Sequence, residues 1–161
     1  MSKKKEKVVM VSGGFDPIHI GHVRMFQEAK KLGDKLVVVI NNDNWLRAKK
    51  GKEFMPEIDR KEIIEAFDFV DEVYFTEHSA SMNYHDPIER SVCEAIRKIR
   101  PHIFANGGDR KPDGDPVPEV AVCEELGIEM VYNVGYGGKV RSSSDLVKDY
   151  SQHLNEKKGA K

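Results

Sequence analysis

Two histidines three residues apart, His19 and His22, are the residues of this sequence best suited to chemistry. They lie in the stretch SGGFDPIHIGHVRMF, residues 12–26, directly after an apolar run. Residues three apart on a helix share one face, so we expect the two imidazoles to project together. Gly21 between them keeps the helix start open to a ligand that approaches closely. The pattern therefore predicts a ligand site at the start of a helix.

The turn before this helix is suited to an anion. Gly13 and Gly14 carry no Cβ, so a ligand can come close to the backbone of the turn. The helix that follows points its first amide groups and the positive end of its dipole at the same place. Imidazoles beside such a site can stabilise a phosphate on which negative charge grows during a reaction. These residue types in this order therefore favour phosphate chemistry.

Alternating strand and helix patterns must position these residues. The sequence predicts five strands, over residues 7–12, 35–41, 71–76, 102–106 and 128–134. It predicts helices over residues 20–34, 59–70, 86–99, 117–127 and 145–154, with a basic stretch over 41–60 that leads into the second helix. The alternation indicates an α/β protein with a Rossmann-like, doubly wound parallel five-stranded sheet and helices on both faces. Ligands of such sheets bind beyond the carboxyl ends of the strands.

Length and charge restrict the possible partners. The 161 residues fit a single domain, with 1–6 and 155–161 as flexible tails. With 26 basic and 27 acidic side chains, the chain has no field to attract a nucleic acid or an anionic membrane. No apolar run approaches the roughly 20 residues of a membrane span, and no signal peptide is evident. We expect a cytoplasmic protein in which Cys93 and Cys123 are idle thiols.

The stretch HIGH, within GGFDPIHIGHVRMFQEAKKLGD, resembles the HxGH signature of the nucleotidyltransferase superfamily that includes class I aminoacyl-tRNA synthetases. The longer match is similar to small cytidylyltransferases, such as glycerol-3-phosphate cytidylyltransferase, and to the adenylyltransferase domain of bifunctional heptose-phosphate enzymes. The resemblance covers nearly the whole chain. It implies that Phe15 and Asp16 frame the nucleotide site, while His19 and His22 contact the triphosphate.

The resemblance also implies basic residues after the second strand and at the start of the next helix. Lys49, Lys50 and Arg60 occupy those places. Lys49 matches the family lysine by ungapped count from the histidines, whereas Lys50 matches the lysine-glycine pair of the heptose type. A flexible lysine can neutralise the departing pyrophosphate, so both lysines remain candidates. A solvated basic loop is the alternative interpretation of this stretch.

A glycine-rich segment after the fourth strand resembles the heptose-phosphate adenylyltransferases. In ANGGDRKP, residues 105–112, Gly107 and Gly108 permit a tight turn over a nucleotide. Asp109 can accept hydrogen bonds from sugar hydroxyls or from the base.

Three consecutive serines open the last helix. Ser142, Ser143 and Ser144 lie in VRSSSDLV, where their hydroxyls and the helix-start amides make a second anion site for the β- and γ-phosphates. Arg141 stands where the cytidylyltransferase pattern RTxGISTT has isoleucine, and Tyr136 stands where that pattern has its arginine. Arg141 is a candidate phosphate ligand that would reach the phosphates from a different position than the family arginine.

The resemblance implies nucleotidyl transfer with release of pyrophosphate. The favoured reaction moves CMP from CTP to a small phosphorylated alcohol or sugar, assisted by Mg2+ that is bound chiefly through the nucleotide phosphates, with no protein metal ligands. The alternative donor is ATP, with a heptose-phosphate or FMN type of acceptor. Asp68 stands where glycerol-phosphate enzymes have arginine, which argues against glycerol 3-phosphate. A homodimer is also implied.

Two further expectations concern the acceptor pocket and the class of protein. By position, the loop at 77–85, with His78, Tyr84 and His85, is expected to take part in the acceptor pocket. A hypothesis of another class is a regulatory module that binds nucleotide without catalysis. The intact histidines, lysines and serines favour the enzyme, and pyrophosphate release distinguishes the two.

Overall fold

Five parallel strands form the central sheet of the computed structural model, which describes residues 5–107, 118–135 and 142–159. The strands are β1 (Val8–Gly13), β2 (Lys35–Ile40), β3 (Glu72–Phe75), β4 (Ile103–Ala105) and β5 (Glu129–Val131). They lie in the order β3-β2-β1-β4-β5, and every neighbouring pair is parallel. The chain builds one half of the sheet outward from β1 and then crosses to β4, so the sheet is doubly wound, as predicted.

Helices cover both faces of this sheet. They are α1 (Ile20–Lys30), α2 (Asp43–Lys50), α3 (Glu57–Glu65), α4 (Cys93–Ile99), α5 (Pro118–Leu126) and α6 (Ser143–Gly159). Phe26 of α1 and Ile64 of α3 pack in one core cluster, whereas Ile96 of α4 and Val122 of α5 pack in another. Alternate residues of β1 and β2 belong to the two clusters, which explains why both strands are continuous apolar runs.

Helix α2 lies in the basic stretch 41–60, where the sequence predicted no helix before residue 59. Asn42 caps its start, because the Asn42 side chain accepts a hydrogen bond from the Trp45 N–H at 3.0 Å. Gly51, at φ 87°, ends it. Only Leu46 of this charged helix is buried, so few apolar residues mark it in the sequence. Lys49 and Lys50 therefore lie on the last turn of a helix that the sequence did not predict.

Helix α4 begins later than predicted. The Asp86 carboxylate accepts hydrogen bonds from the N–H groups of Ile88 (2.8 Å) and Glu89 (3.2 Å), which closes a local turn. Regular helix starts only at Cys93, after Val92 donates its N–H to Glu119 Oε1 at 3.2 Å. Residues 86–92 thus form turns, and they carry side chains toward the carboxyl edge of the sheet.

Helix α6 extends through Gly159, so the predicted tail is helical over residues 155–159. None of its described side chains is buried. Across the described parts of the chain, no helix has the length and apolar character needed to cross a membrane.

Cys123 is expected to resist alkylation in the folded protein. Its thiol is buried, and burial raises its pKa to about 11, so almost none of the reactive thiolate is present at pH 8. We expect iodoacetamide to modify Cys123 at least about 100-fold more slowly in the folded chain than in urea. Peptide mass spectrometry of timed samples measures both rates. Equal rates would contradict the buried placement.

Candidate active site

A cavity of about 520 Å³ opens at the carboxyl ends of β1, β2 and β4. It brings together most of the predicted site residues: Gly13, Gly14, Phe15, Asp16, His19, Gly21, His22, Lys49, Lys50, Gly107, Ser142, Ser143 and Ser144. Arg60 does not line it. The predictions for Gly108, Asp109 and Arg141 fall outside the described residues.

His19 and His22 stack at the start of α1, with ring centroids 3.7 Å apart and planes inclined by 23°. His19 Nδ1 accepts the Gly21 N–H at 3.1 Å, and His22 Nδ1 accepts the His19 N–H at 3.2 Å. A ring nitrogen accepts a hydrogen bond only when it carries no proton, so each neutral imidazole carries its proton on Nε2. Capping of the helix thus fixes both rings as Nε2–H donors at the cavity.

Phe15 supports the histidine pair. Its ring is buried and meets the rings of His22 and Phe26 edge-on, at centroid distances of 5.0 and 5.1 Å. A Cβ at Gly13 would lie 2.9 Å from Phe15 Cε1, so glycine at this position lets the ring pack. Phe15 has a φ of 51°, a left-handed conformation that is costly for an aromatic residue and is held by this packing.

Asp16 uses its carboxylate to organise the site. The buried group accepts hydrogen bonds from the N–H groups of Phe54 (2.7 Å) and Met55 (2.5 Å). It also forms an ion pair with Lys50 Nζ at 2.8 Å. The carboxylate therefore fastens residues 54–55 and the end of α2 to the turn between β1 and α1.

The structure separates the roles of the two candidate lysines. Lys50 Nζ also donates to the Asp16 carbonyl at 2.9 Å, so its charge offsets a buried carboxylate. Lys49 Nζ lies 5.2 Å from the centroid of the Trp45 ring, in a cation–π contact at the same cavity. Lys49 therefore lies beside an aromatic ring of the cavity, whereas Lys50 is held against Asp16.

Arg60 is completely buried, contrary to the prediction that it touches the nucleotide. Its Nη1 donates to the carbonyls of Gly14 (2.8 Å) and Asn41 (2.7 Å). Its Nη2 forms an ion pair with Asp43 at 2.7 Å, and its Nε donates to the Met55 carbonyl at 3.0 Å. Arg60 therefore ties together the ends of β1 and β2 and the start of α2, which places it behind the cavity wall.

The serines join a second helix start to the cavity. Ser143 Oγ donates to the Pro17 carbonyl at 2.7 Å, linking α6 to the turn before α1. Ser142 Oγ accepts the Asp145 N–H at 3.4 Å as a cap. The amino ends of α1 and α6 thus both face the cavity, and both favour an anion there.

Sequence reasoning missed several lining residues: Asn41, Trp45, Arg90, Asn106 and Glu119. Asn41 and Asn106 are buried and follow β2 and β4 directly, so a polar residue after a buried strand was the available signal. Asn41 Oδ1 is buried, and no described residue of the chain gives it a hydrogen bond. Such an atom is costly unless something satisfies it, which is typical of a functional site.

The segment after β3 does not place its histidines at this cavity. Thr76 Oγ1 accepts the Asn42 N–H at 3.0 Å and lies 2.8 Å from His78 Nδ1. His78 Nε2 lies 3.1 Å from the Ser91 carbonyl, which can only accept, so Nε2 carries the proton and the threonine hydroxyl donates to Nδ1. His78 therefore anchors this segment, while His85 is exposed.

Acidification is expected to destabilise the protein through His78. Burial lowers the pKa of this imidazole below its ordinary 6.5, so around that pH the unfolded chain binds more protons than the folded chain. The free energy of unfolding should therefore fall as the pH drops from 7 to 5. Urea denaturation at several pH values measures this, and His78→Gln should flatten the dependence. His85→Gln is the matched control, and identical slopes in all three proteins would contradict the assignment.

Together, the doubly wound sheet, the paired histidines and the two helix starts define a nucleotide-binding α/β enzyme. The chain belongs to the cytidylyltransferase-like family, whose model matches residues 10–130, and it is a nucleotidyltransferase. This confirms the resemblance drawn from the HxGH stretch.

Relatives and one solved structure refine the comparison. The chain is 36% identical to FAD synthase of Thermococcus kodakarensis over 113 residues, 68% of each protein. It is 34% identical to the bifunctional protein HldE of Pelobacter propionicus over 137 residues, 84% of this chain but 23% of that longer protein. The lipopolysaccharide core biosynthesis protein of Thermoplasma volcanium has a similar structure, with a TM-score of 0.61 and 26% identity over 82% of this chain and 99% of that one.

Proposed function

We propose that this nucleotidyltransferase joins a nucleotidyl group to the phosphate of a small phosphorylated acceptor. The observation that carries the proposal is the cavity at which two helix starts meet a pair of imidazoles with Nε2–H groups. Helix starts bind phosphate, and the imidazole donors add hydrogen bonds that strengthen as charge develops.

The proposed step is a direct displacement at the α-phosphorus. An oxygen of the acceptor phosphate forms the new P–O bond, while the bond from the α-phosphorus to the bridging oxygen of the β-phosphate breaks. Pyrophosphate leaves with the electron pair of that bond. An ionised phosphate has no proton to lose, so no general base and no enzyme nucleophile are required. Positioning and charge stabilisation by His19, His22 and Lys49 supply the catalysis.

Mg2+ fits this site as a substrate-bound ion. Asp16, one of the acidic residues at the cavity, already accepts from Phe54, Met55 and Lys50. Among the described residues, no group of three or more His, Cys, Asp or Glu side chains could hold a metal. When bound to the nucleotide, magnesium would offset phosphate charge, and its ligands would be phosphate oxygens and water.

ATP is the donor that we favour over the CTP indicated by the sequence. FAD contains an adenylyl group, so the similarity to FAD synthase supports ATP with FMN as the acceptor. CTP with a phosphorylated alcohol or sugar remains the second candidate, supported by the cytidylyltransferase-like family model.

Pyrophosphate release tests the proposal. The purified chain is incubated with MgCl2, with ATP or CTP, and with FMN, glycerol 3-phosphate or a sugar phosphate, and products are identified by mass spectrometry. We expect pyrophosphate to form only in the presence of one phosphorylated acceptor, in equal amount to the nucleotidylated product. Tight nucleotide binding without pyrophosphate from any acceptor would instead support the regulatory module.

A homodimer is also proposed, from the family resemblance. Size-exclusion chromatography with light scattering measures the molar mass of the particle, and a monomer at micromolar concentration would contradict the dimer.

A further inference from the structure

Arg90 reaches the cavity from a segment other than those that carry the histidine pair of α1 and the serines of α6. It lies in the turns between β3 and α4, on the stretch 77–92, and it lines the cavity together with Val92 and Trp45. The candidate triphosphate ligands come from the starts of α1 and α6 and from α2. Arg90 therefore offers a positive charge from a separate element.

Aromatic side chains hold Arg90 in place. The Arg90 carbonyl accepts the Trp45 Nε1–H at 2.9 Å, which ties this segment to α2. The Arg90 guanidinium lies 5.5 Å from the centroid of the Tyr84 ring, and the Tyr84 ring meets Trp45 edge-on at 5.4 Å. Stacking on an aromatic face leaves the edge of a guanidinium available for hydrogen bonding.

Arg90 forms no ion pair within the described parts of the chain. There, no carboxylate lies within 4.0 Å of its guanidinium, whereas Arg47, Arg60 and Arg97 each form an ion pair. A guanidinium presents paired N–H groups that match two oxygens of a phosphate. An arginine without an ion-pair partner among the described residues, at the cavity proposed to transfer the nucleotidyl group, is suited to a second anion besides the triphosphate.

We propose that Arg90 binds the phosphate monoester of the acceptor and thereby selects phosphorylated acceptors over their unphosphorylated counterparts. This inference rests on the proposed function, because it assigns a role within that reaction. The aromatic pair Trp45 and Tyr84 acts on the acceptor through Arg90, by positioning its guanidinium.

Arg90→Gln and Arg90→Lys test this role. With the acceptor that the wild type uses best among FMN, glycerol 3-phosphate and a sugar phosphate, Arg90→Gln should raise the KM for the acceptor about 10-fold or more. The KM for the nucleotide should stay unchanged, and Arg90→Lys should fall between Arg90→Gln and the wild type. Arg97→Gln, which removes an exposed arginine far along α4, is the matched control.

Other kinetic outcomes would overturn the role. An unchanged acceptor KM in Arg90→Gln, or a raised KM for the nucleotide alone, places Arg90 elsewhere in the reaction. Thermal melting confirms that the variants are folded, and Arg90 is exposed, so we expect wild-type stability.

A binding measurement separates this inference from the proposed function. Inorganic phosphate is titrated calorimetrically into protein that is saturated with α,β-methylene ATP. If the protein binds only the corresponding CTP analogue, that analogue is used instead. The wild type should bind phosphate about 10-fold or more tightly than Arg90→Gln. If the wild type releases no pyrophosphate with any acceptor, the proposed function fails. The titration still shows in that case whether Arg90 binds phosphate. Equal phosphate affinity in the two proteins overturns the inference.

Discussion

Replacing His22 or His19 by alanine is expected to lower kcat by about 100-fold or more, the largest effect on activity that we predict. Each ring presents an Nε2–H at the cavity because its Nδ1 accepts a backbone N–H. A donor fixed in this way needs no reorganisation as charge grows on the transferred phosphate. Pyrophosphate release at saturating nucleotide and acceptor gives kcat for each variant.

Alanine also removes a helix cap, so a second pair of variants isolates the chemistry. His19→Asn keeps a capping acceptor at the start of α1, and His22→Gln keeps a side chain that can reach back to the backbone of residue 19. We expect both to melt like the wild type yet lose activity like the alanine variants. Wild-type kcat in either capped variant would remove that histidine from the mechanism.

Replacing Arg60 by alanine is expected to lower the free energy of unfolding by about 3–5 kcal/mol, the largest effect on stability that we predict. The guanidinium is completely buried, and its loss leaves Asp43 without its ion-pair partner. The carbonyls of Gly14 and Asn41 also lose their shared donor. Urea denaturation, with the midpoint and slope fitted together, measures the change.

The control for Arg60 is an arginine in an exposed ion pair. Arg97→Ala removes the partner of Glu125 on the surface, and we expect the free energy of unfolding to change little, because solvent screens an exposed ion pair. Arg60→Lys keeps the charge but not the fork of donors, so its stability should lie between those of the wild type and Arg60→Ala. Equal stability of Arg60→Ala and Arg97→Ala would contradict a structural role for Arg60.

Local patterns were enough to predict the sheet and the starts of α1 and α6. β1 and β2 are buried on both faces, and this requirement produces continuous apolar runs that can be recognised without neighbours. Capping is also local, since His19, Gly21 and His22 make their hydrogen bonds within one turn. Helix α2 was not predicted, because Leu46 is its one buried residue and most of its other residues are polar or charged.

The sequence by itself determined the five strands, the helices other than α2, the glycine turn after β1 and the histidine pair. Each of these depends on residues close together along the chain. Only the tertiary structure decided that Arg60 is part of the framework, that Lys50 pairs with Asp16, and that Arg90 enters the cavity. The partners of these cations lie as many as 46 residues away along the chain. A lysine or arginine looks the same in the sequence whether it forms an ion pair or faces a ligand. Which of these roles it takes depends on contacts that form only when distant elements pack together.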